Sequence, residues 1–383
     1  MASNVDTSVN TSIGELCLSD QCIDEIAAAL VTPIYQAKNK STWCDGSGKS
    51  DGIYLVKNPK TASSTSAGVA LRISHRQSCD RVRYNHAHAV KYEDRPQNQS
   101  YMFTTIRDPA SRAISRVFWG FKERIRNITN TDELVLKKLE DKRGQPGCIS
   151  DGQGGFQLRY LAPVRIAPNS FWSPLTPSKV QNLQELIHLI KKTMAHYDFI
   201  LVTERMDESL VAMALLMGLD VGDVLGISSK VAASSFFYNG NHCKPLTKGF
   251  RSQKVQEYFD SPIWRAQNFG DYLLHRLAAN ALDRTISEQI GQERFHKALA
   301  KYQKLKSLGE KLCAPNAKFP CSSDGKPQLG VSGKSCYIAG KDFGCGYRCI
   351  DFMLMKLEGK KLDDLNATAF AADFIQEGEY KVV

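Results

Sequence analysis

The chain reads as an α/β protein built on a parallel sheet flanked by helices, and two stretches predict this. In the first, the strand-like triplet Tyr54-Leu55-Val56 runs into a turn at Asn58-Pro59. Lys60 and five small or hydroxylated residues follow, Thr61, Ala62, Ser63, Ser64 and Thr65, and then a helix-compatible run from Ala67 to Ile73. In the second, Met102 to Ile106 is β-prone and ends on Arg107. Asp108-Pro109 breaks it, and a helical pattern follows with Ile114, Val117 and Phe118 at apolar spacing. Strands that alternate with helices in this way predict parallel pairing, here of four or five strands with helices on both faces. A ligand is expected at the carboxyl ends of the strands.

The first stretch has the chemistry of an anion cradle. A loop of small residues that opens a helix offers several backbone N–H groups and the helix dipole to one phosphate. Lys60 adds a point charge where a leaving phosphate would develop negative charge. In the second stretch Asp108 and Pro109 suit the cap and first turn of a helix. Arg107 at the strand end and Ser115 on the next helix form a candidate grip for a second phosphate, because a guanidinium fork binds two oxygens at once.

Together, K-T-A-S-S-T and T-I-R-D-P-A-S-R-A-I-S resemble the two phosphate motifs of the sulfotransferases that use 3′-phosphoadenosine 5′-phosphosulfate (PAPS). The likeness is greatest to the carbohydrate group, above all the galactose-3-O-sulfotransferases. F-I-L-V-T-E-R-M-D-E-S-L, Phe199 to Leu210, resembles a further segment of that group. The resemblance runs from about Ile53 to Leu308 and implies a nucleotide-kinase-like P-loop core. Residues 1–50 would be an N-terminal extension with one helix, 51–311 the catalytic domain and 312–383 a Cys-rich appendage.

The resemblance also implies roles. Lys60 and the 61–65 loop would hold the 5′-phosphosulfate, and Arg107 and Ser115 the 3′-phosphate, with no metal required. Arg81 to Ala89 reads as a short alternating strand with His86 and His88 at its end. A histidine there is the family's expected general base, since a neutral imidazole can take the proton of an attacking hydroxyl. His86 is favoured, and His88 shares its face if the strand continues. Glu204, at the end of the strand Asp198 to Thr203, is the rival base or a substrate contact. Gln157 and Arg159, in G-G-F-Q-L-R-Y-L, are candidate acceptor or cofactor contacts. They fall inside the stretch Gly144 to Pro177, read as a loop that carries specificity.

Weaker candidates are Lys122, Arg124 and Arg126 along an acidic acceptor's path, Phe171-Trp172 as a sugar platform, and Lys244 and Lys248 in the loop Ala232 to Gly249. The resemblance implies a carbohydrate acceptor, of galactose type on a glycan or glycolipid. The alternatives are a small hydroxylated metabolite or an inactive binding module on the same fold. A kinase is disfavoured. C-D-G-S-G-K-S, Cys44 to Ser50, has Trp43 where a Walker A loop needs its first glycine.

The net charge of +10 favours anionic partners. No basic run of the kind found in nucleic-acid arms occurs, so nucleic acid is not an expected partner. No stretch of about 18 apolar residues is present, so no membrane span is expected. Five of the eleven cysteines (Cys313, Cys321, Cys336, Cys345 and Cys349) crowd the C-terminal stretch. This reads as disulfides in an oxidising compartment, with a zinc site through Cys345 and Cys349 as the rival. Sequons at Asn10, Asn39, Asn98, Asn127 and Asn366 agree with a Golgi or secretory lumen. The sequence shows no N-terminal anchor or signal pattern, which keeps a cytoplasmic location as the alternative. The long segment Gln253 to Leu308 reads as two helices whose apolar stripe is core and carries no chemistry.

Overall fold

A computed structural model describes residues 18–46, 48–79, 81–120, 131–140, 154–164, 180–226, 236–239, 242–245, 249, 251–314, 321–322, 324–327, 347–358 and 370. Several candidates lie outside them: Lys122, Arg124, Arg126, Phe171, Trp172, Lys248, Cys336, Cys345 and the sequons at Asn10, Asn127 and Asn366. The side chain of Lys244 does too.

The sheet has four parallel strands: β1 (Gly52–Val56), β2 (Val82–Asn85), β3 (Ser100–Ile106) and β4 (Phe199–Val202), in the order β2-β1-β3-β4. β2 and β4 form the two edges, and burial follows composition. G-I-Y-L-V, S-Y-M-F-T-T-I and F-I-L-V are buried along their whole length, as strands covered on both faces must be. V-R-Y-N carries polar residues and lies at the edge, with Leu55 opposite Tyr84 on that side and Phe103 on the other. The chain moves from β1 out to β2 and then returns to the far side of β1 for β3. The order therefore reverses between β1 and β3, where a ligand crevice opens in such sheets.

Helices flank the sheet. Before it come α1 (Asp20–Ala29), capped by Ser19, and a one-turn α2 (Lys40–Trp43) capped by Asn39. Helix α3 (Ser63–Arg76) follows β1 and α4 (Pro109–Gly120) follows β3. Then come α5 (Thr131–Glu140), α6 (Phe156–Leu161), α7 (Val180–Ala195) and α8 (Met206–Leu216). No helix among the described residues is long and apolar enough to cross a membrane.

Three local expectations are corrected. The stretch Gly144 to Pro177 is not loop throughout, because G-G-F-Q-L-R-Y-L forms α6 with Phe156, Leu158 and Leu161 buried. The stretch Ala232 to Gly249 holds a two-stranded hairpin, β5 (Phe236–Asn239) with β6 (His242–Pro245), in which aromatic residues favour strand. Finally, Gln253 to Leu308 falls in three helices: α9 (Gln253–Asp260), α10 (Pro262–Arg284) and α11 (Gln292–Cys313). Ser261 and Pro262 cap and open α10, ending α9. Gly291, with φ +88°, separates α10 from α11.

The C-terminal stretch is tied to the body. Disulfides join Cys243 to Cys321 and Cys313 to Cys349, and a third joins Cys44 to Cys79. Helix α12 (Tyr347–Leu357) brings Asp351 to 2.7 Å from Arg72 and 2.9 Å from Arg76, both on α3. Arg72 is 1% exposed, and burial pulls its guanidinium down to about 10 while Asp351 opposes the shift. Removing one partner of a buried pair leaves the other charge uncompensated. Asp351→Ala should therefore cost about 3 kcal/mol, read as a lower urea midpoint with an unchanged m-value. A loss below about 0.5 kcal/mol would mean that Asp351 is an ordinary surface charge.

Candidate functional site

The turns that follow β1 and β3 lie against each other and bring Lys60 and Arg107 together. After Val56 the chain turns tightly, Asn58 N donating to Val56 O at 3.0 Å and Thr61 Oγ1 to Asn58 O at 2.9 Å. Lys60 and Ala62 then adopt the left-handed conformation, with φ of 71° and 57°. Each such non-glycine residue costs about 1–3 kcal/mol and persists only where its surroundings hold it. Helix α3 starts on Ala62 without a side-chain cap. Its first backbone bond is Ser66 N to Ala62 O at 3.1 Å, so the N–H groups of Ser63, Ser64 and Thr65 lie in the first turn, ahead of the intrahelical ladder. Thr61 and Ser63 are buried, whereas Lys60, Ala62, Ser64 and Thr65 are half-buried. Ser66 Oγ and Thr105 Oγ1, 2.7 Å apart, fasten this turn to β3.

Arg107 leaves β3 next to this loop. Its Nη1 donates to Lys60 O at 3.2 Å, which brings the two motifs into contact. Its Nε is buried without a hydrogen bond among the described residues, and Glu204 Oε1 lies 3.9 Å away. Burial lowers the Arg107 pKa, and Glu204 and Asp108 oppose this. Asp108 Oδ1 accepts from Ser111 N at 2.7 Å and so caps α4, on whose half-buried surface Ser115 lies one turn further on. Arg251, just before α9, reaches the same corner, with Nη2 at 2.5 Å from Ser111 Oγ and 3.2 Å from Asp108 Oδ1.

The two histidines part company. Strand β2 ends at Asn85, so His86 and His88 do not share a strand face. His86, exposed, has its Nδ1 at 2.8 Å from Lys57 O, in the turn that leads from β1 toward α3. A carbonyl can only accept, so Nδ1 carries the hydrogen and Nε2 the lone pair. His88 turns to α6, with Nδ1 at 3.5 Å from Arg159 O and its ring 4.5 Å from that of Tyr160.

Gln157 and Arg159 lie on α6 and are buried. Both ends of the Gln157 amide are used on Arg107: Arg107 N donates to Oε1 at 3.0 Å, and Nε2 donates to Arg107 O at 2.7 Å. Burial brings the Arg159 guanidinium down to about 10, with Asp271 opposing. Glu204, just past β4, accepts from Asp108 N at 3.1 Å and pairs with His275 Nε2 at 3.1 Å. Burial would raise its pKa, but the hydrogen bond and charge of His275 outweigh this and hold it below its ordinary value.

Sequence reasoning passed over the helix that organises this arrangement. Asn268, Asp271 and His275 lie at helical spacing on α10 and form one buried polar stripe. Asn268 Oδ1 accepts from Gly155 N at 3.3 Å. The Asp271 carboxylate accepts from Gln157 N and Leu158 N, both at 2.8 Å, and so caps α6. Gly154 has φ +67°, and a Cβ there would lie 2.3 Å from Gln267 O, so only glycine lets α6 approach α10 this closely. The signal was present in N-F-G-D-Y-L-L-H, as polar residues recurring at helical spacing inside an apolar pattern.

Comparison with protein-family models, curated proteins and solved structures returned no match.

A carboxylate with a depressed pKa contributes stability above its unfolded-state value and loses it on acidification. Glu204 should therefore support folding fully above pH 4.5 and progressively less as the pH falls through its lower folded value. A plot of urea midpoint against pH should have a shallower acid limb for Glu204→Gln than for wild type. Superimposable limbs would show that the His275 pair contributes nothing.

Proposed function

We propose that this chain is a PAPS-dependent sulfotransferase that sulfates a hydroxyl of a carbohydrate acceptor, a galactose-type glycan or glycolipid. The observation that carries the reading is the meeting, at the reversal point of the sheet, of a left-handed, uncapped helix start with a half-buried arginine. Arg107 Nη1 lies 3.2 Å from Lys60 O, and its buried Nε donates no hydrogen bond among the described residues. A strained helix start beside a buried guanidinium of this kind suits a bound anion.

Bound PAPS supplies the sulfuryl group, and adenosine 3′,5′-bisphosphate is the other product. The N–H groups of Thr61, Ala62, Ser63 and Ser64, with the hydroxyls of Ser64 and Thr65, hold the 5′-phosphate. Arg107 and Ser115 hold the 3′-phosphate, and Arg251 adds positive charge at the same helix start. His86 Nε2 takes the proton of the acceptor hydroxyl as its oxygen bonds to sulfur in line with the departing phosphate oxygen. Lys60 neutralises the charge that develops on that oxygen. Glu204, ionised and engaged by His275 and Asp108, orients Arg107 instead of accepting the proton. The three disulfides suit an oxidising compartment such as the Golgi or secretory lumen.

Calorimetric titration of adenosine 3′,5′-bisphosphate into wild type and Arg107→Ala tests the cofactor class. Loss of one charged phosphate contact should weaken binding by about 2–3 kcal/mol, roughly 30- to 150-fold. A wild-type protein that does not bind this nucleotide would sink the reading. His86→Gln should bind the nucleotide normally yet lose about 100-fold or more in turnover with a galactoside acceptor panel. Undiminished turnover in that variant would remove His86 as the base.

A further inference from the structure

We propose that Gln157 is a positioning residue that sets the preference for a 3′-phosphorylated nucleotide by holding the backbone of Arg107, with Asp271 as its support. This rests on the sulfotransferase reading above.

Strand β3 pairs with β4 only as far as Ile106 opposite Val202. One residue further on, the N–H and C=O of Arg107 are both taken by the Gln157 side chain. A primary amide offers one acceptor and one donor in one plane, as a peptide unit does, so Gln157 stands where a neighbouring strand would have stood. It is 0% exposed, so it holds the arginine without touching a ligand. The same amide also receives Asn58 Nδ2 at 3.4 Å, and that nitrogen reaches Thr105 O at 3.1 Å. The start of the phosphate loop thus keeps a second anchor independent of Gln157, whereas no other side chain among the described residues bonds the Arg107 carbonyl.

The amide is in turn set by α6, and α6 by the Asp271 carboxylate on its second and third N–H groups, those of Gln157 and Leu158. The chain of contacts runs from α10 through α6 to the guanidinium and ends at the atom that would bind the 3′-phosphate. Misplacement of such a group by about 1 Å is enough to lose most of a charged contact.

The test compares adenosine 3′,5′-bisphosphate with adenosine 5′-monophosphate by calorimetry, in the full chain. Gln157→Met removes both amide bonds at similar volume. It should cut the preference for the bisphosphate by about tenfold or more, with monophosphate affinity unchanged within about twofold. Gln157→Glu keeps an acceptor for Arg107 N but sets an oxygen against Arg107 O. It should move the preference in the same direction, and it carries the comparison if the methionine variant fails to fold. Combined with Arg107→Ala, either change should cost no further preference, since both act through one contact. An unchanged preference overturns the proposal. So does an equal loss for both nucleotides, which marks a merely structural role. Wild type without any preference for the bisphosphate would instead bring down the sulfotransferase reading itself.

Discussion

The buried carboxylate of Asp271 is the interaction on which the arrangement of the site depends. Taking a carboxylate out of water costs several kcal/mol, and Asp271 is 1% exposed. Burial raises its pKa, against which act the N–H groups of Gln157 and Leu158 and the charges of Arg112 and Arg159. The N-terminus of α6 adds its dipole in the favourable sense. A six-residue helix has little stability of its own. Its place is therefore set from outside, by the carboxylate beneath it and by the glycine pair that allows close approach.

From that fixed point the contacts run outward. Gln157 takes the end of β3 in hand, Arg107 touches the loop after β1, and His275, one turn along α10 from Asp271, holds Glu204 beside Arg107 and Asp108. Helix α10 thus reaches the crevice by two routes, one through α6 and one through the end of β4. This arrangement can hold two left-handed non-glycine residues, Lys60 and Ala62, in a short loop. Their conformations cost free energy that the surrounding contacts offset.

The far end of α3 is restrained as well. Arg72 and Arg76 meet Asp351 of α12 and the 221–224 turn, through Gly222 O and Asp223. A disulfide from Cys313 to Cys349 closes α12 onto α11. The C-terminal stretch, which its composition marks as an appendage, acts in its described part as a brace behind α3. That helix is therefore gripped at both ends.

The sequence by itself determined the α/β class, the four strands of the parallel sheet and the two strand-to-helix turns. These follow from local patterns: continuous apolar runs in Ile53–Val56 and Phe199–Val202, and turn chemistry at Asn58-Pro59 and Asp108-Pro109. It also singled out Lys60, Arg107, His86 and Glu204, because chemistry-bearing residues after strand ends stand out against apolar neighbours, and Ser115 on the helix that follows β3. Tertiary structure alone decided how they are held. Gln157 reads locally as a polar residue in a glycine-rich segment, and only the packing of α6 on α10 turns it inward onto Arg107. Asp271 and His275 look like interruptions of an apolar stripe until α6 and Glu204 are brought against them. His86 and His88 sit two residues apart in the chain, yet one turns to Lys57 and the other to α6, because β2 stops at Asn85. The physical reason is common to all of these. Periodicity and turn propensity are properties of neighbouring residues, whereas burial and hydrogen bonding of a polar side chain depend on partners 29 to 114 positions away.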